Sequence, residues 1–197
     1  WVPHYTESLV DKKFSGFKIP LKHEVNYVLT DIEGTTSSIK FVTETLFPYF
    51  NQRIDTLREL SHLPEVQAAF EDTKKLAFEL DGQTLNSTDE IIAKLTEWSL
   101  ADKKITPLKA LQGIIWNEGY KNGELKGHVY PDVAPMLEKW NKEGRKAGVF
   151  SSGSIAAQKL IFGYSESGDL TPYFSAYFDT TTGGKRETET YSKISSA

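Results

Sequence analysis

VNYVLTDIEGTT, residues Val25 to Thr36, is the stretch whose reading decides the fold. Its first six residues are β-prone and nearly continuous in apolar character, the pattern of a strand covered on both faces in a parallel sheet. The strand ends abruptly in Asp31-Ile32-Glu33-Gly34. Ligands of open parallel sheets bind at the carboxyl ends of the strands, so the residues just past this one carry the most functional weight. Asp31 and Glu33 can both point into a crevice if the chain leaves strand geometry there, and Gly34 permits the tight departure. One carboxylate would then serve as nucleophile or metal ligand and the other as proton carrier. The same D-x-E pattern is also that of an Asx-type turn with solvated acids.

Downstream of this strand the sequence turns helical. Leu46, Phe47, Phe50, Ile54 and Leu57 recur at helical spacing, as do Val66, Ala69, Phe70, Leu76, Ala77 and Leu80 behind Pro64, which suits a first turn. Ser87 and Glu90 have capping-box spacing before Ile91, Ile92, Leu95 and Trp98. Pro107 opens a run through Leu108, Leu111, Ile114 and Ile115. No strand pattern interrupts these segments, which predicts an all-helical insertion. Alternation resumes near residue 128: a helix from Pro131 ended by Gly144, a strand at Ala147–Ser151, a helix from Ser154 to Gly163 and a strand at Ala176–Asp179. The order is that of a parallel α/β sheet.

Two further strand ends carry polar chemistry. Ser151-Ser152-Gly153-Ser154 puts hydroxyls and free N–H groups at a helix start, which is an anion site or an ordinary N-cap. Gly183-Gly184-Lys185 offers a flexible approach and one cation. Carboxylates, hydroxyls and a cation, each following a predicted strand, form the inventory for phosphoryl transfer through an acyl-phosphate. A G-x-x-x-x-G-K-[ST] loop is absent from the sequence, which disfavours a P-loop nucleotide enzyme.

Composition narrows the classes. The chain has 197 residues, no cysteine, and Lys+Arg 23 against Asp+Glu 27, for a formal charge of −4. Disulfide frameworks, thiolate metal sites and cysteine nucleophiles are excluded, and nothing in the charge favours nucleic acid. No apolar run approaches the ~20 residues that span a bilayer. His4, His23 and His62 lack metal-ligand spacing, His128 reads as a structural histidine or one reaching the site, and the four tryptophans suit helix faces. Residues 1–24 read as an extension, locally basic through Lys12, Lys13, Lys18 and Lys22.

DIEGTTSSIKFV, ETLFPYF, FSSGSIAAQKLIFGYSESGDL and YFDTTTGGKRETETYSKI together closely resemble the enolase-phosphatases of methionine salvage, within the haloacid dehalogenase superfamily. The resemblance covers residues 25–197, and Glu33 in place of a second Asp is itself like that family. It implies a three-layer, Rossmann-like parallel-sheet core (25–43 and 128–197) with an inserted helical cap (44–127). It also implies a magnesium cofactor. Asp31 would be the nucleophile and a metal ligand, and Glu33 would complete the metal site and serve in acid/base chemistry. Ser151 and Ser152 would bind the substrate phosphate or enol oxygen, and Lys185 would neutralise the phosphate and position Asp31. The implied substrate is 2,3-diketo-5-methylthiopentyl-1-phosphate, converted to an enediol phosphate and then, with phosphate loss, to acireductone. A monomer without nucleic-acid or membrane partners, in the cytoplasm or also the nucleus, goes with it. Another phosphatase of the superfamily, or a non-catalytic fragment, is the alternative.

The superfamily pattern has a fourth element, a further strand ending in an acidic motif beside the first strand. No acidic residue follows Glu189, the chain starts at Trp1, and its only methionine is Met136. The expectation is an interior portion of a longer protein, with the first strand's outer edge unpaired and one metal ligand absent. Residues 1–24 would then be a linker remnant, since some family members are fused to an upstream dehydratase.

Overall fold

A computed structural model describes residues 25 to 197. The N-terminal extension, with its lysines, His4 and His23, lies outside the described residues. Strand β1 (Tyr27–Thr30) leads through a tight loop into a short helix α1 (Ile39–Phe41), a π-turn (Val42–Leu46), helix α2 (Phe47–Arg53) and a 3-10 segment (Ile54–His62). Helices α3 (Pro64–Asp81), α4 (Thr88–Leu100) and α5 (Thr106–Lys121) follow. The chain then runs α6 (Val133–Lys142), β2 (Lys146–Phe150), α7 (Ile155–Gly163), a 3-10 turn (Thr171–Tyr173), β3 (Phe174–Phe178) and α8 (Thr188–Ser196).

The three strands form one parallel sheet in the order β1-β2-β3. Helix α6 packs on β2 and α7 on β3. Central β2 is buried along Ala147 to Phe150, as a strand flanked on both sides should be. The expectation that β1 is covered on both faces is corrected here. Tyr27 is exposed and Val28 to Thr30 are half-buried, because β1 is the edge of the sheet among the described residues. Gly148 on β2 leaves room for the Tyr27 ring, whose hydroxyl sits where a β-carbon would otherwise project.

Local signals account for most boundaries. Pro64 occupies the first turn of α3, Gly82 ends it in the left-handed conformation, and the Ser87/Glu90 capping box of α4 forms reciprocally. The periodic run from Leu46 to Leu57 is not one α-helix. Pro48 lacks the N–H that would continue the ladder, and the Phe47 N–H reaches back to the Val42 carbonyl to close a π-turn. The helix expected from Pro131 begins at Val133; β2 and β3 start one and two residues earlier than the alternation suggested, and β1 two residues later.

A single apolar core joins the helical segment to the sheet, running from Trp98, Leu95, Leu111 and Phe50 through Leu46 and Ile32 to Val149 and Phe162. The two crossings between helical segment and sheet are fastened together: the Tyr130 N–H donates to the Thr36 carbonyl at 2.9 Å, and the Ser38 N–H to His128 Nδ1 at 3.1 Å. The His128 ring packs between Phe41 and Tyr130, which makes it a structural histidine. Beside it, Gly127 exchanges backbone hydrogen bonds with Tyr164 and Glu166. A β-carbon on Gly127 would lie 1.9 Å from the Ile161 carbonyl oxygen, with only backbone available to yield. Gly127→Ala is therefore expected to lower unfolding free energy by about 2–4 kcal/mol. Urea denaturation checks this, and a loss under about 0.5 kcal/mol would contradict it.

Candidate functional site

The loop after β1 is built by its own backbone. The Ile32 carbonyl accepts from the N–H groups of Thr35, Thr36 and Ser37 at 3.0–3.1 Å, and Gly34 takes the left-handed conformation (φ 75°) that lets the chain reverse. Ile32 is buried between the two carboxylates and anchors the turn. Asp31 Oδ1 accepts the Ile32 N–H at 2.8 Å, and the Thr36 hydroxyl donates to the Asp31 carbonyl at 2.9 Å.

Two of the three predicted groups meet at Asp31 itself. Lys185 Nζ lies 2.5 Å from Asp31 Oδ2 and 5.7 Å from the centre of the Phe150 ring. Its delivery depends on the glycines before it. Gly183 (φ 144°) passes so close to Thr190 that a β-carbon would strike that hydroxyl at 2.2 Å. The Tyr191 hydroxyl then donates to the Lys185 carbonyl at 2.9 Å and fixes the loop to α8.

Glu33 turns the other way, toward the serine loop. Ser151, fully buried at the end of β2, donates from its hydroxyl to Glu33 Oε2 at 3.1 Å. Glu33, Ser151 and Ser152 line a cleft of about 240 Å³ between the sheet and the helical segment. Its far wall is apolar, with Val42, Leu46, Phe47, Leu108 and Trp116, and the π-turn supplies two of these. Trp116 is held in place by an indole N–H bond to the Leu46 carbonyl at 2.9 Å. Asp31 and Lys185 are not among the cleft's lining residues.

Ser154 acts as the N-cap of α7, its hydroxyl accepting the Ala157 N–H at 3.3 Å. The helix start is thus closed in part by the protein's own oxygens, since Asp179 Oδ2 also accepts the Ile155 N–H at 3.3 Å. Burial works against an ionised Asp179. Hydrogen bonds from Thr181 and Ile155 nevertheless hold its carboxyl below the usual range, and the α7 dipole has the same sense.

Two residues of this region are absent from the sequence analysis, and a third, Asp179, enters it only as the end of a strand. Asp179 follows β3 and ties it to α7. Lys109 on α5 crosses the cleft, with Nζ donating to the Ser152 carbonyl at 3.1 Å. Gln158, almost fully buried on α7, donates through Nε2 to the Gly153 carbonyl at 2.8 Å and the Phe178 carbonyl at 2.9 Å. The only sequence signal for any of them was an Asp followed two residues later by Thr, the pattern of an Asx turn at Asp179.

The chain is 49% identical over 173 residues to an enolase-phosphatase E1 of Picosynechococcus, covering 88% of this chain and 75% of that protein. It is 52% identical over 174 residues to the enolase-phosphatase E1 of Alcanivorax borkumensis, with the same coverage of 88% and 75%. The chain belongs to the enolase-phosphatase family. Among solved structures, the unknown transcript 4 protein of Saccharomyces cerevisiae matches with a TM-score of 0.68 at 34% identity, over 87% of this chain and 75% of that one. No family model matches. For an enolase-phosphatase family member, the D-x-E loop, the serine loop and the Gly-Gly-Lys loop are brought to the ends of β1, β2 and β3. Among the described residues no helix is long and apolar enough to cross a membrane.

Proposed function

We propose that the protein is the magnesium-dependent enolase-phosphatase of methionine salvage, with 2,3-diketo-5-methylthiopentyl-1-phosphate as substrate. The observation that carries the substrate assignment is the two-ended cleft. Glu33, Ser151 and Ser152 suit a phosphorylated, oxygen-rich head, and the Leu46, Phe47 and Trp116 wall suits a thioether tail.

Metal fit rests on the donor set. The acidic groups at the site, Asp31 and Glu33, are carboxylates without accompanying His or Cys, and among the described residues no cluster of three or more His, Cys, Asp or Glu side chains could hold an ion. Magnesium is commonly held by one or two carboxylates with substrate phosphate and water completing the shell, so these two residues fit it. Asp31 and Glu33 would hold the ion, and its charge would neutralise phosphoryl and enolate oxygens.

The chain's own residues do the rest. Lys185 orients the Asp31 carboxylate through their ion pair, and balances phosphate charge when substrate is bound. An Asp31 oxygen forms a bond to phosphorus as the bond from phosphorus to the substrate oxygen breaks, and water then releases phosphate from the aspartyl-phosphate. Ser151 and Ser152 orient the phosphate or enol oxygen. Residues 44–127 act as the cap that keeps bulk water out. We place the reaction in the cytoplasm, as the enolase-phosphatase reading implies.

Mixing the protein with the diketone phosphate and magnesium tests this. Enediol absorbance is expected to rise before inorganic phosphate appears. Phosphate release without that step would indicate a phosphatase for another ester, and failure to hydrolyse even an aryl phosphate would indicate a non-catalytic chain.

A further inference from the structure

The apolar wall of the cleft has a polar interruption on α5. Leu108, Gln112 and Trp116 share one face of that helix, and all three line the cleft. Gln112 is only 6% exposed. Among the described residues its amide has no hydrogen-bond partner. It is nevertheless not one of the side chains whose unpartnered polar atoms are sealed from solvent, which are Trp98, Tyr120, Gln158 and Tyr177. Both amide atoms of Gln112 therefore keep accessible surface. That surface opens on the cleft, because Gln112 takes no part in the groove on the neighbouring face of α5, where Lys109, Gly113 and Ile114 lie. A polar side chain set in an apolar wall without a partner costs stability, and a ligand in the cleft is what can offset it.

Position along the helix says which part of a ligand the amide meets. Lys109 Nζ ties α5 to the serine loop at the Ser152 carbonyl, Gln112 lies about 4.5 Å further along the axis, and Trp116 about 6 Å beyond that. The amide thus stands between the polar head of the cleft and its apolar tail. In the diketone phosphate, the oxygens between the phosphate ester and the thioether are the C2 and C3 carbonyls, both acceptors. Enolisation changes that pair. A base removes a C1 proton, the C1–C2 double bond forms, and the C2 oxygen gains a proton, with no oxidant or reductant needed. C2 then carries a donor hydroxyl beside the C3 carbonyl acceptor. A primary amide presents the complementary pair, C=O beside N–H, as it does to the edge of adenine in DNA. Resting on the enolase-phosphatase reading, we infer that Gln112 binds the adjacent C2 hydroxyl and C3 carbonyl of the enol through both ends of its amide, and so selects the enol over the diketone. The diketone satisfies only the N–H and sets a second acceptor against the amide oxygen. A match that arises only after the first step favours the later species without tightening the grip on the starting one.

The test uses two non-hydrolysable phosphonates that share the C3 ketone and the methylthio end, one carrying a C2 hydroxyl and the other a C2 methylene. By calorimetry with magnesium present, the wild-type protein is expected to bind the hydroxyl compound about tenfold more tightly, since a site that hydrogen-bonds a hydroxyl discriminates against the analogue lacking it. Gln112→Leu, which suits the apolar wall, should bring that ratio close to one. In turnover, the variant's kcat/KM for the diketone phosphate relative to an aryl phosphate should fall about tenfold. A merely structural glutamine would lower both rates together and leave their ratio where it was. Equal wild-type affinities for the two phosphonates, or an unchanged ratio in the variant, overturn the assignment. If Gln112→Leu does not fold, Gln112→Met, which keeps the unbranched chain, takes its place with the same expected outcomes. Failure of the enzyme reading is separately visible, as absence of wild-type turnover of the diketone phosphate.

Discussion

Asp31→Asn is expected to remove magnesium-dependent phosphate release by roughly 10⁴-fold or more, while the protein remains folded. Asparagine matches aspartate in shape, and its Oδ1 can still accept the Ile32 N–H that orients the side chain. What it lacks is a charged oxygen able to bond phosphorus. The lost ion pair with Lys185 costs little in stability, because both side chains are more than a third exposed. Exposed pairs contribute about 0–1 kcal/mol. Phosphate release and thermal unfolding, measured on the same preparation, check both halves. Turnover within about tenfold of the parent would remove Asp31 from the nucleophile's place.

Lys185→Met comes next in size, with an expected loss of roughly 10²–10³-fold in kcat/KM. Methionine keeps the apolar stem near Phe150 and removes only the cation, so the Tyr191 bond to the Lys185 carbonyl should survive. Lys185→Arg should recover part of the rate, since the charge returns with a different shape. Steady-state kinetics on the three proteins separate these expectations. A Lys185→Met rate within a few-fold of the parent would refute the charge-balancing role.

The polar ends of all three strands were legible because each motif is local. Asp31 and Glu33 share one turn, Ser151 to Ser154 run continuously into α7, and Lys185 follows two glycines. The Ser87 capping box and the Pro64 helix start are likewise written within a few residues. Gln158 and Lys109 were invisible for the opposite reason. Each sits at a helical position where a polar residue ordinarily faces water, and each gains its meaning from a partner on another element. Asp179 lies between these cases, with an Asx turn readable locally and the α7 contact not. The exposure of β1 accords with the outer edge that its sequence leaves unpaired, and differs from the two-sided cover its apolar run suggests.

The fastening of Thr36 to Tyr130 also bears on the order of events during synthesis. Tyr27 pairs with Lys146, so the first strand leaves the ribosome with its sheet partner still unmade. At typical elongation rates that wait lasts on the order of ten seconds. During it the helical segment can complete its own nearby contacts, and the entropy of closing a longer loop grows only slowly. The sheet is then the late event of folding. The crossing, where Ser38 meets His128 and Thr36 meets Tyr130, joins residues that have all been synthesised before the sheet partner of β1 is complete.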